Sequence, residues 1–178
     1  MPEADLLDGT LYPTKTATVR LAAPADEDAL YALLLRLSQD NPDPSGLRFD
    51  HDKIQLHVEN ACARSGAVAG VIDDPNGEGI IGSCGIFLFL PWYADEWILS
   101  CYWLYVDPPF RKFGYGDLLF DFALKHRRDL SAASGYPLGL DISFVSRTHL
   151  PARERWWGKR AKKVGAMFFV APDRDVTP

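Results

Sequence analysis

The apolar residues of the chain follow two periods, which predict a set of helices and strands. Leucines at helical spacing follow the acidic segment 24–28, and acidic side chains favour the first turn of a helix. This first helix is expected to end near Asn41, because prolines follow directly. A second helix is predicted at about 52–64. Its apolar face carries Ile54, His57, Val58 and Ala61.

Alternating apolar positions predict a central group of strands. A short strand is expected at 18–21, and longer strands at 67–72 and 79–90. The dipeptide Asn76-Gly77 lies between the last two strands and is a strong signal for a β-hairpin. In the segment 96–106 both alternating sets of residues are apolar. This pattern is typical of a strand that is covered on both faces at the centre of a sheet.

The second half of the chain predicts a strand–helix–strand unit. A helix at about 115–131 follows the central strand, and a strand at 138–144 follows the helix. In one sheet this order implies parallel strands joined by a right-handed crossover. A further helix is predicted at 151–163 and a closing strand at 167–170.

We find no repeat, low-complexity run or long linker that would divide the 178 residues. One α/β domain is therefore expected at 18–170, with residues 1–17 as an N-terminal extension that is either flexible or docks on a partner subunit. Residues 171–178 form a short tail. A homodimer is an open alternative to a monomer.

Composition and charge exclude several classes of protein. With 19 Lys+Arg against 24 Asp+Glu the net charge is −5, which argues against nucleic acid as a general partner. The three cysteines are scattered and the histidines do not cluster, so neither a disulfide framework nor a metal site is expected. A reducing, cytoplasmic compartment fits this pattern best. The most apolar stretch, 80–106, is interrupted by a proline and two acids, so no membrane span is expected.

The segment that follows the central strand carries the clearest chemical signal. It reads V-D-P-P-F-R-K-F-G-Y-G over residues 106–116, and its glycines allow a tight turn and a close backbone approach to a ligand. Amide N–H groups at the start of the next helix, with Arg111 and Lys112 beside them, would cradle a phosphate or pyrophosphate. The segment lacks the features of a P-loop and of a dinucleotide fingerprint, which disfavours those functions.

This segment resembles the hallmark V-x-P-x-x-[RQ]-x-x-G-x-[GA] of the GNAT superfamily of N-acetyltransferases. The defined positions are filled by Val106, Pro108, Arg111, Gly114 and Gly116. The predicted element order is similar too, over about 18–170. The resemblance implies a mixed, mostly antiparallel central sheet, a parallel strand pair at the coenzyme site, and about four flanking helices. It also implies acetyl-coenzyme A as co-substrate and a primary amine as acceptor, on a small molecule, a protein lysine or a protein N-terminus.

The resemblance also implies which residues hold the coenzyme. Main-chain groups of the central strand would pair with the pantetheine arm, and amides of the following turn would hold the pyrophosphate. The strand residues are Leu104, Tyr105 and Val106, and the turn residues are Arg111, Lys112, Phe113, Gly114, Tyr115 and Gly116. In the turn the N–H groups are expected to matter more than the side chains at 112, 113 and 115.

Acetyl transfer needs a deprotonated amine, and a lysine-like amine with a pKa of about 10.4 costs about 4.6 kcal/mol to deprotonate at neutral pH. The family commonly places a glutamate on the central strand, but Ser100 stands at the matching position. Glu96 lies on the same predicted strand face and is the leading candidate base, directly or through water. The alternative is a solvated carboxylate at the strand end. Asp141 is a second candidate.

The general acid is less well defined by the sequence. Many family members carry a tyrosine in a Tyr-x-x-x-Gly-Phe stretch after the last helix, and here that stretch is 161–166, with Ala161 first and Ala166 last. Tyr102 or Tyr105 would act instead, unless both are ordinary core residues. Ser100 and Ala161 stand where catalytic residues are usual in the family, which keeps open a second interpretation, a GNAT-fold protein that binds coenzyme A or a partner without efficient catalysis.

Charge is unevenly distributed along the chain. The segment 147–163 holds seven basic residues against Glu154 alone, a local charge of +6, so the rest of the chain carries −11. The basic segment fits a solvated helix, a contribution to coenzyme phosphate binding, or contact with nucleic acid or an acidic partner.

Two further groups of residues bear on the acceptor. Acidic residues crowd the loop between the first two helices, which in the family overhangs the acceptor site; they are Asp40, Asp43, Asp50 and Asp52. They favour a cationic amine, or simply form a solvated loop. Aromatic residues would wall an acceptor pocket or pack in the core, the latter explaining most of them; they are Phe87, Phe89, Trp92, Tyr93 and Trp97.

Overall fold

The structure is a computed structural model. It describes residues 4–7, 10–13, 17–40, 49–77, 79–93, 95–142, 155, 156, 158 and 159. The chain divides into two compact units, one made of 1–37 with 50–144 and the other of 38–49 with 145–178. The first unit holds the sheet and nearly all of the helices. In the second unit the described residues are the end of the first helix, Phe49, helical residues at 155, 156 and 158, and Lys159 in a turn.

The described elements form a mixed α/β fold. The strands are β1 (Ala4–Leu7), β2 (Thr10–Pro13), β3 (Arg20–Leu21), β4 (Ala67–Asp73), β5 (Ile80–Phe89), β6 (Ile98–Val106) and β7 (Gly139–Ile142). The α-helices are α1 (Glu27–Asp40), α2 (His51–Ala63) and α3 (Tyr115–Ser134), and 3-10 helices Pro24–Asp26 and Pro108–Phe113 precede α1 and α3. Five strands form one sheet in the order β3-β4-β5-β6-β7, antiparallel except for the parallel pair β6-β7. The predicted mixed, mostly antiparallel sheet is confirmed.

The β4–β5 hairpin turns where the sequence predicts it. The backbone N–H of Gly77 donates to the carbonyl of Asp74 at 2.9 Å, and the N–H of Asp74 donates to the carbonyl of Gly79 at 2.7 Å. Gly77 has a φ of 81°, a conformation that glycine adopts without strain. The Asn76-Gly77 signal therefore predicted this turn correctly.

The β6–α3–β7 unit is the predicted parallel crossover. β7 pairs with the first half of β6 in parallel, from Ile98 opposite Gly139 to Cys101 opposite Ile142. The last two residues of the predicted strand 138–144 lie outside the described residues. So do the predicted strand 167–170 and most of the predicted helix 151–163.

The helices cover the two faces of the sheet. α1 and α2 bury Leu30, Leu33, Leu34, Val58 and Ala61 in a cluster that also holds Phe87, Trp103 and Tyr105 of β5 and β6. Residues of α3 pack with other residues of the same strands, in clusters that hold Cys84, Ile86, Leu99 and Val106. α2 begins one residue earlier than predicted, because Asp50 caps it by accepting a hydrogen bond from the N–H of Lys53 at 3.0 Å.

A β-bulge in β6 corrects the predicted unbroken alternation of this strand. Gly85 and Ile86 of β5 pair with Trp103 and Cys101, so Tyr102 is an extra residue without a partner on β5. The bulge exchanges the faces: Leu99 packs toward α3, whereas Trp103 and Tyr105 pack toward α1 and α2. Tyr102 is 46% exposed, so β6 is not covered on both faces along its whole length.

Gly85 makes room for the large ring beside this bulge. A Cβ added at Gly85 would collide with the ring of Trp103, whose Nε1 donates to the buried Ser83 Oγ at 3.1 Å. The indole thus lies against the β5 backbone. Its packing fixes the course of β6 directly after Tyr102.

The N-terminal region contains a short hairpin that was not predicted. β1 and β2 pair antiparallel, from Ala4 opposite Pro13 to Leu7 opposite Thr10. Asp8-Gly9 lies between the strands, and this dipeptide is a common sequence signal for a two-residue hairpin loop. The predicted boundaries of the extension, the domain and the tail stay predictions.

Candidate functional site

The turn between β6 and α3 has the geometry of an anion cradle. Gly114 adopts a left-handed conformation with a φ of 78°, and α3 begins at the next residue. The carbonyl of Gly114 accepts from the N–H of Asp117 at 3.0 Å, while the earlier N–H groups of an α-helix have no partner within the helix. A Cβ added at Gly114 would meet nothing within 4 Å, so open space lies beside the turn. A phosphate group fits this arrangement, since helix N-termini favour negative charge.

The Arg111 side chain supports the turn from the strand side. Its Nε donates to the carbonyl oxygen of Val106 at 2.9 Å, and its guanidinium carbon lies 5.4 Å from the ring centroid of Tyr105. Lys112 Nζ lies 5.2 Å from the ring centroid of Phe113. Both cations are exposed beside the start of α3 and add positive potential there. Arg111 therefore also braces the turn against β6, a role not included in the sequence prediction.

Aromatic packing fixes the start of α3. Tyr115 is only 2% exposed. The centroid of its ring lies 6.5 Å from that of Phe110 and 5.9 Å from that of Phe113. Burial raises the pKa of the Tyr115 hydroxyl, and the charge of Asp74 raises it further. Tyr115 thus anchors the helix start through its side chain, in addition to the N–H group that the prediction emphasises.

An ion pair between α1 and the end of β6 also positions the turn. Arg36 donates to the Asp107 carboxylate, with Nε 3.1 Å from each oxygen and a second nitrogen at 3.0 Å. The same guanidinium donates to the carbonyl of Ile80 at 2.9 Å, and the N–H of Asp107 donates to the carbonyl of Ile81 at 2.9 Å. The sequence prediction missed this contact, because its partners are 71 residues apart and no local pattern joins them.

The strand residues predicted to face the pantetheine arm lie beyond the bulge. Tyr105 and Val106 are buried and Leu104 is half-buried. On one side this part of β6 pairs with residues 82–84 of β5. On the other side, within the part of the chain that the structure describes, β7 pairs with Ile98–Cys101 and not beyond.

The candidate acid and base residues are spread along β6 and β7. Glu96 lies in a bend before β6, which begins at Ile98, and it is exposed. The predicted strand start was two residues too early, so the argument from strand faces no longer applies to Glu96. Ser100 is half-buried and pairs with the exposed Asp141 of β7. The positions of these residues do not decide whether any of them is catalytic, so the catalytic roles stay predictions.

Tyr102 joins a cluster that the sequence did not reveal. Its ring stacks on Phe87 at a centroid distance of 4.2 Å and makes a T-shaped contact with His57 at a centroid distance of 5.3 Å. His57 also contacts Phe87 at 5.1 Å. Burial lowers the pKa of His57, and the charge of Lys53 lowers it further. The helical face predicted for α2 included His57, but only the bulge brings Tyr102 beside it.

The residues proposed to surround the acceptor differ in their positions and in their exposure to solvent. Asp50 caps α2, Asp52 lies in its first turn, and Asp43 lies outside the described residues. Phe87 is buried as a core residue, whereas the other aromatic residues are not, which corrects the interpretation that core packing explains most of them. The exposed ones are Phe89 (41%), Trp92 (93%), Tyr93 (73%) and Trp97 (50%).

In the part of the chain that the structure describes, neither the cysteines nor a cluster of metal-binding side chains provides a second candidate site. Cys62, Cys84 and Cys101 are free and buried, and burial raises the pKa of Cys62 to about 11 and of Cys101 to about 12. Among the described residues, no His, Cys, Asp and Glu side chains cluster in a way that would hold a metal ion. No helix in the described ranges is both long and apolar enough to span a bilayer. Of the basic segment 147–163, only residues 155, 156, 158 and 159 are described.

Several solved structures similar to this chain are named as acetyltransferases. An aminoglycoside acetyltransferase from an uncultured soil metagenomic sample superposes with a TM-score of 0.61 at 13% identity, covering 88% of this chain and 97% of that chain. The ribosomal-protein-alanine N-acetyltransferase of Brucella melitensis biovar Abortus 2308 gives 0.59 at 14% identity, covering 87% and 98%. AAC(6')-Iy in complex with the bisubstrate analog CoA-S-monomethyl-acetylneamine gives 0.62 at 11% identity, covering 89% and 99%.

These similarities extend over almost the whole length of the solved structures. The GNAT-like fold that the sequence motif implies is therefore confirmed. No protein-family model matches the sequence, and the search of curated proteins gives no match.

Proposed function

We propose that this protein is an N-acetyltransferase that moves the acetyl group of acetyl-coenzyme A to a primary amine. The observation that carries the proposal is the left-handed Gly114 at the start of α3, one 3-10 helix after β6, in a fold similar to that of acetyltransferases. Open space beside Gly114 and the two exposed cations suit a diphosphate. The structural similarity to a protein solved with a bisubstrate analog containing coenzyme A supports the same choice of co-substrate.

The spacing along β6 supports a reaction centre at the bulge. Tyr102 precedes Val106 by about four residues, or about 13 Å at the usual rise of a strand. The arm of coenzyme A has about thirteen bonds between phosphorus and sulfur and spans about 15 Å when extended. An arm that enters beside Val106 and runs back along β6 would therefore carry the thioester to the neighbourhood of Tyr102.

A cationic acceptor is supported by the tip of the β5–β6 hairpin. Trp92 and Tyr93 pack edge to face with a centroid distance of 5.6 Å, and both are exposed beside Asp95 and Glu96. Exposed aromatic faces and carboxylates together attract organic cations. Two of the similar structures are described as an aminoglycoside acetyltransferase and a ribosomal-protein-alanine N-acetyltransferase, whose names point to small-molecule and protein acceptors. As part of the proposal we locate the activity in the cytoplasm, in line with three free, buried cysteines.

A thiol-release assay tests the proposal. Purified protein is mixed with acetyl-coenzyme A and one amine at a time from a panel of polyamines, aminoglycosides, lysine peptides and peptides with a free N-terminal alanine. We expect thiol release that depends on the amine and saturates with its concentration, for at least one acceptor class. Calorimetric binding of acetyl-coenzyme A without thiol release on any acceptor would instead favour a coenzyme-binding protein without catalysis. Absence of binding would reject both functions.

A further inference from the structure

We propose that His57 is the general base that accepts a proton from the acceptor's ammonium group beside the β6 bulge. This inference rests on the proposed acetyl transfer and adds a role for a residue outside the GNAT-like motif. It replaces Glu96 as the leading base.

The first support is the position of the ring. The ring centroid of His57 lies 5.3 Å from that of Tyr102, the bulge residue without a partner on β5, and 5.1 Å from that of Phe87. Both contacts are T-shaped. These two aromatic rings stack on each other at 4.2 Å and hold the imidazole between α2 and the sheet. The thioester reaches the same region when the coenzyme arm follows β6 over about 13 Å. On this path the thioester would lie beside Tyr102 and His57.

The second support is the chemistry of the imidazole. His57 is half-buried, and within the described residues neither ring nitrogen has a hydrogen-bond partner. Lys53 on α2 and Tyr102 on β6 are the titratable groups of the described residues that face it, and Phe87 of β5 is apolar. Burial and Lys53 both lower its pKa, which keeps the ring neutral and able to accept a proton at pH 7.

Distance disfavours Glu96 for the same task. Ile98, the first residue of β6, already lies about 26 Å along the strand from Val106. Glu96 precedes Ile98 and is farther still from the end of β6. An extended arm of about 15 Å does not reach that end of β6. A proton acceptor must lie within hydrogen-bond reach of the amine, directly or through one water.

The proposed step balances in atoms and charge. The acceptor enters as an ammonium ion and gives one proton to a neutral ring nitrogen of His57. The freed amine nitrogen forms a bond to the acetyl carbonyl carbon, and the carbon–sulfur bond breaks. The thiolate of coenzyme A takes a second proton from the same nitrogen, which leaves the neutral amide. His57 returns to the neutral form by releasing its proton to water.

The test compares two matched histidine variants. His126 on α3 is also half-buried, its pKa is also lowered by burial, and its ring stacks on Phe122 at 6.3 Å. It lies on the face of the sheet that α3 covers. We expect His57→Gln to lower kcat about 100-fold or more, whereas His126→Gln changes it less than about twofold. Calorimetric binding of acetyl-coenzyme A should be unchanged in both variants, and thermal unfolding of each variant checks that both remain folded.

The pH dependence separates a base from a structural side chain. In the wild type kcat should fall as the pH drops through the pKa of His57, and this acidic limb should disappear in His57→Gln. NMR titration of the labelled imidazole should give the same pKa, below the ordinary histidine value.

An unchanged acidic limb in His57→Gln, or its loss in Glu96→Gln alone, would overturn the assignment of the base while acetyl transfer itself stands. A titration at or above the ordinary histidine value would overturn it as well. Lack of transfer by the wild-type protein to every amine would instead reject the proposed function and this inference together.

Discussion

Gly114 and Gly135 occupy the two ends of α3 in the same backbone conformation. Their φ angles are 78° and 74°, and a Cβ added at either position would meet no atom within 4 Å. Only Gly114 adjoins the cradle, because Gly135 closes the far end of the helix by donating its N–H to the carbonyl of Ser131. The pair therefore separates the cost of backbone strain from the cost to ligand binding.

Alanine at each of these glycines should give the same loss of stability but different binding. We expect both Gly114→Ala and Gly135→Ala to lose about 1–2 kcal/mol in the free energy of unfolding, because L-residues are strained in the left-handed region. Only Gly114→Ala should weaken acetyl-coenzyme A binding, by about tenfold or more, since its Cβ enters the space beside the cradle. Urea unfolding and calorimetric titration measure the two quantities.

Lys112→Ala completes this comparison. Its side chain is exposed, so we expect a smaller loss of affinity than in Gly114→Ala. Equal losses of binding in the two glycine variants, or a larger loss in Lys112→Ala, would show that backbone amides do not hold the diphosphate.

The elements around the cradle are held together by one ion pair and by packing of aromatic side chains. Arg36 joins α1 to Asp107 and to the start of β5. Tyr115 packs the start of α3 against the 3-10 helix. The bulge at Tyr102 turns the second half of β6 so that Trp103 faces α1 and α2. Each contact is a place where one substitution should act on the site from a distance.

Removal of the Arg36 side chain should loosen the cradle. The Asp107 side chain is only 13% exposed, so Arg36→Ala leaves a mostly buried carboxylate without this cation. We expect a loss of about 1–3 kcal/mol in stability and a several-fold increase in the Kd for acetyl-coenzyme A. The control is Lys125→Ala, which removes an exposed pair with Asp129 and should leave stability and coenzyme affinity almost unchanged. Similar coenzyme affinities in the two variants would contradict a positioning role for Arg36.

A second polar cluster, at the start of α1, should make stability depend on pH. Asp26 accepts from Arg20 at 2.7 and 2.8 Å and from the N–H of Ala23 at 2.8 Å, and Arg20 also bonds to Asp73. The hydrogen bonds from Arg20 lower the pKa of the Asp26 carboxyl, and the Ala23 bond lowers it further despite partial burial. The folded state therefore binds the Asp26 proton less tightly than the unfolded state does.

This difference fixes the direction of the effect. The stabilisation is complete above the unfolded pKa of about 3.9 and is lost as the pH falls through the lower, folded value. In urea unfolding, the stability gap between wild type and Asp26→Asn should be constant from about pH 7 to 5 and should shrink below about pH 4. A gap that widens on acidification would contradict the assignment.

At the scale of the whole molecule, the tight turns and the order of the elements were predicted, whereas the bulge and the individual long-range side-chain contacts were not. The turn at Gly114 and the hairpin at Gly77 follow from short motifs, because the conformation of a tight turn depends on a few adjacent residues. The bulge at Tyr102 could not be predicted, since apolar residues occupy both alternating sets of β6 and hide the change of face. Pairs such as Arg36 with Asp107 form only after α1 packs on the sheet.

Transfer of an isotope-labelled acetyl group, followed by mass spectrometry of the acceptor, tests the proposed activity most directly. We expect labelled N-acetyl product from a primary amine, an equal amount of free coenzyme A thiol, and no product from the matched tertiary amine. Saturable binding of acetyl-coenzyme A with no labelled product from any amine in the panel would contradict acetyl transfer.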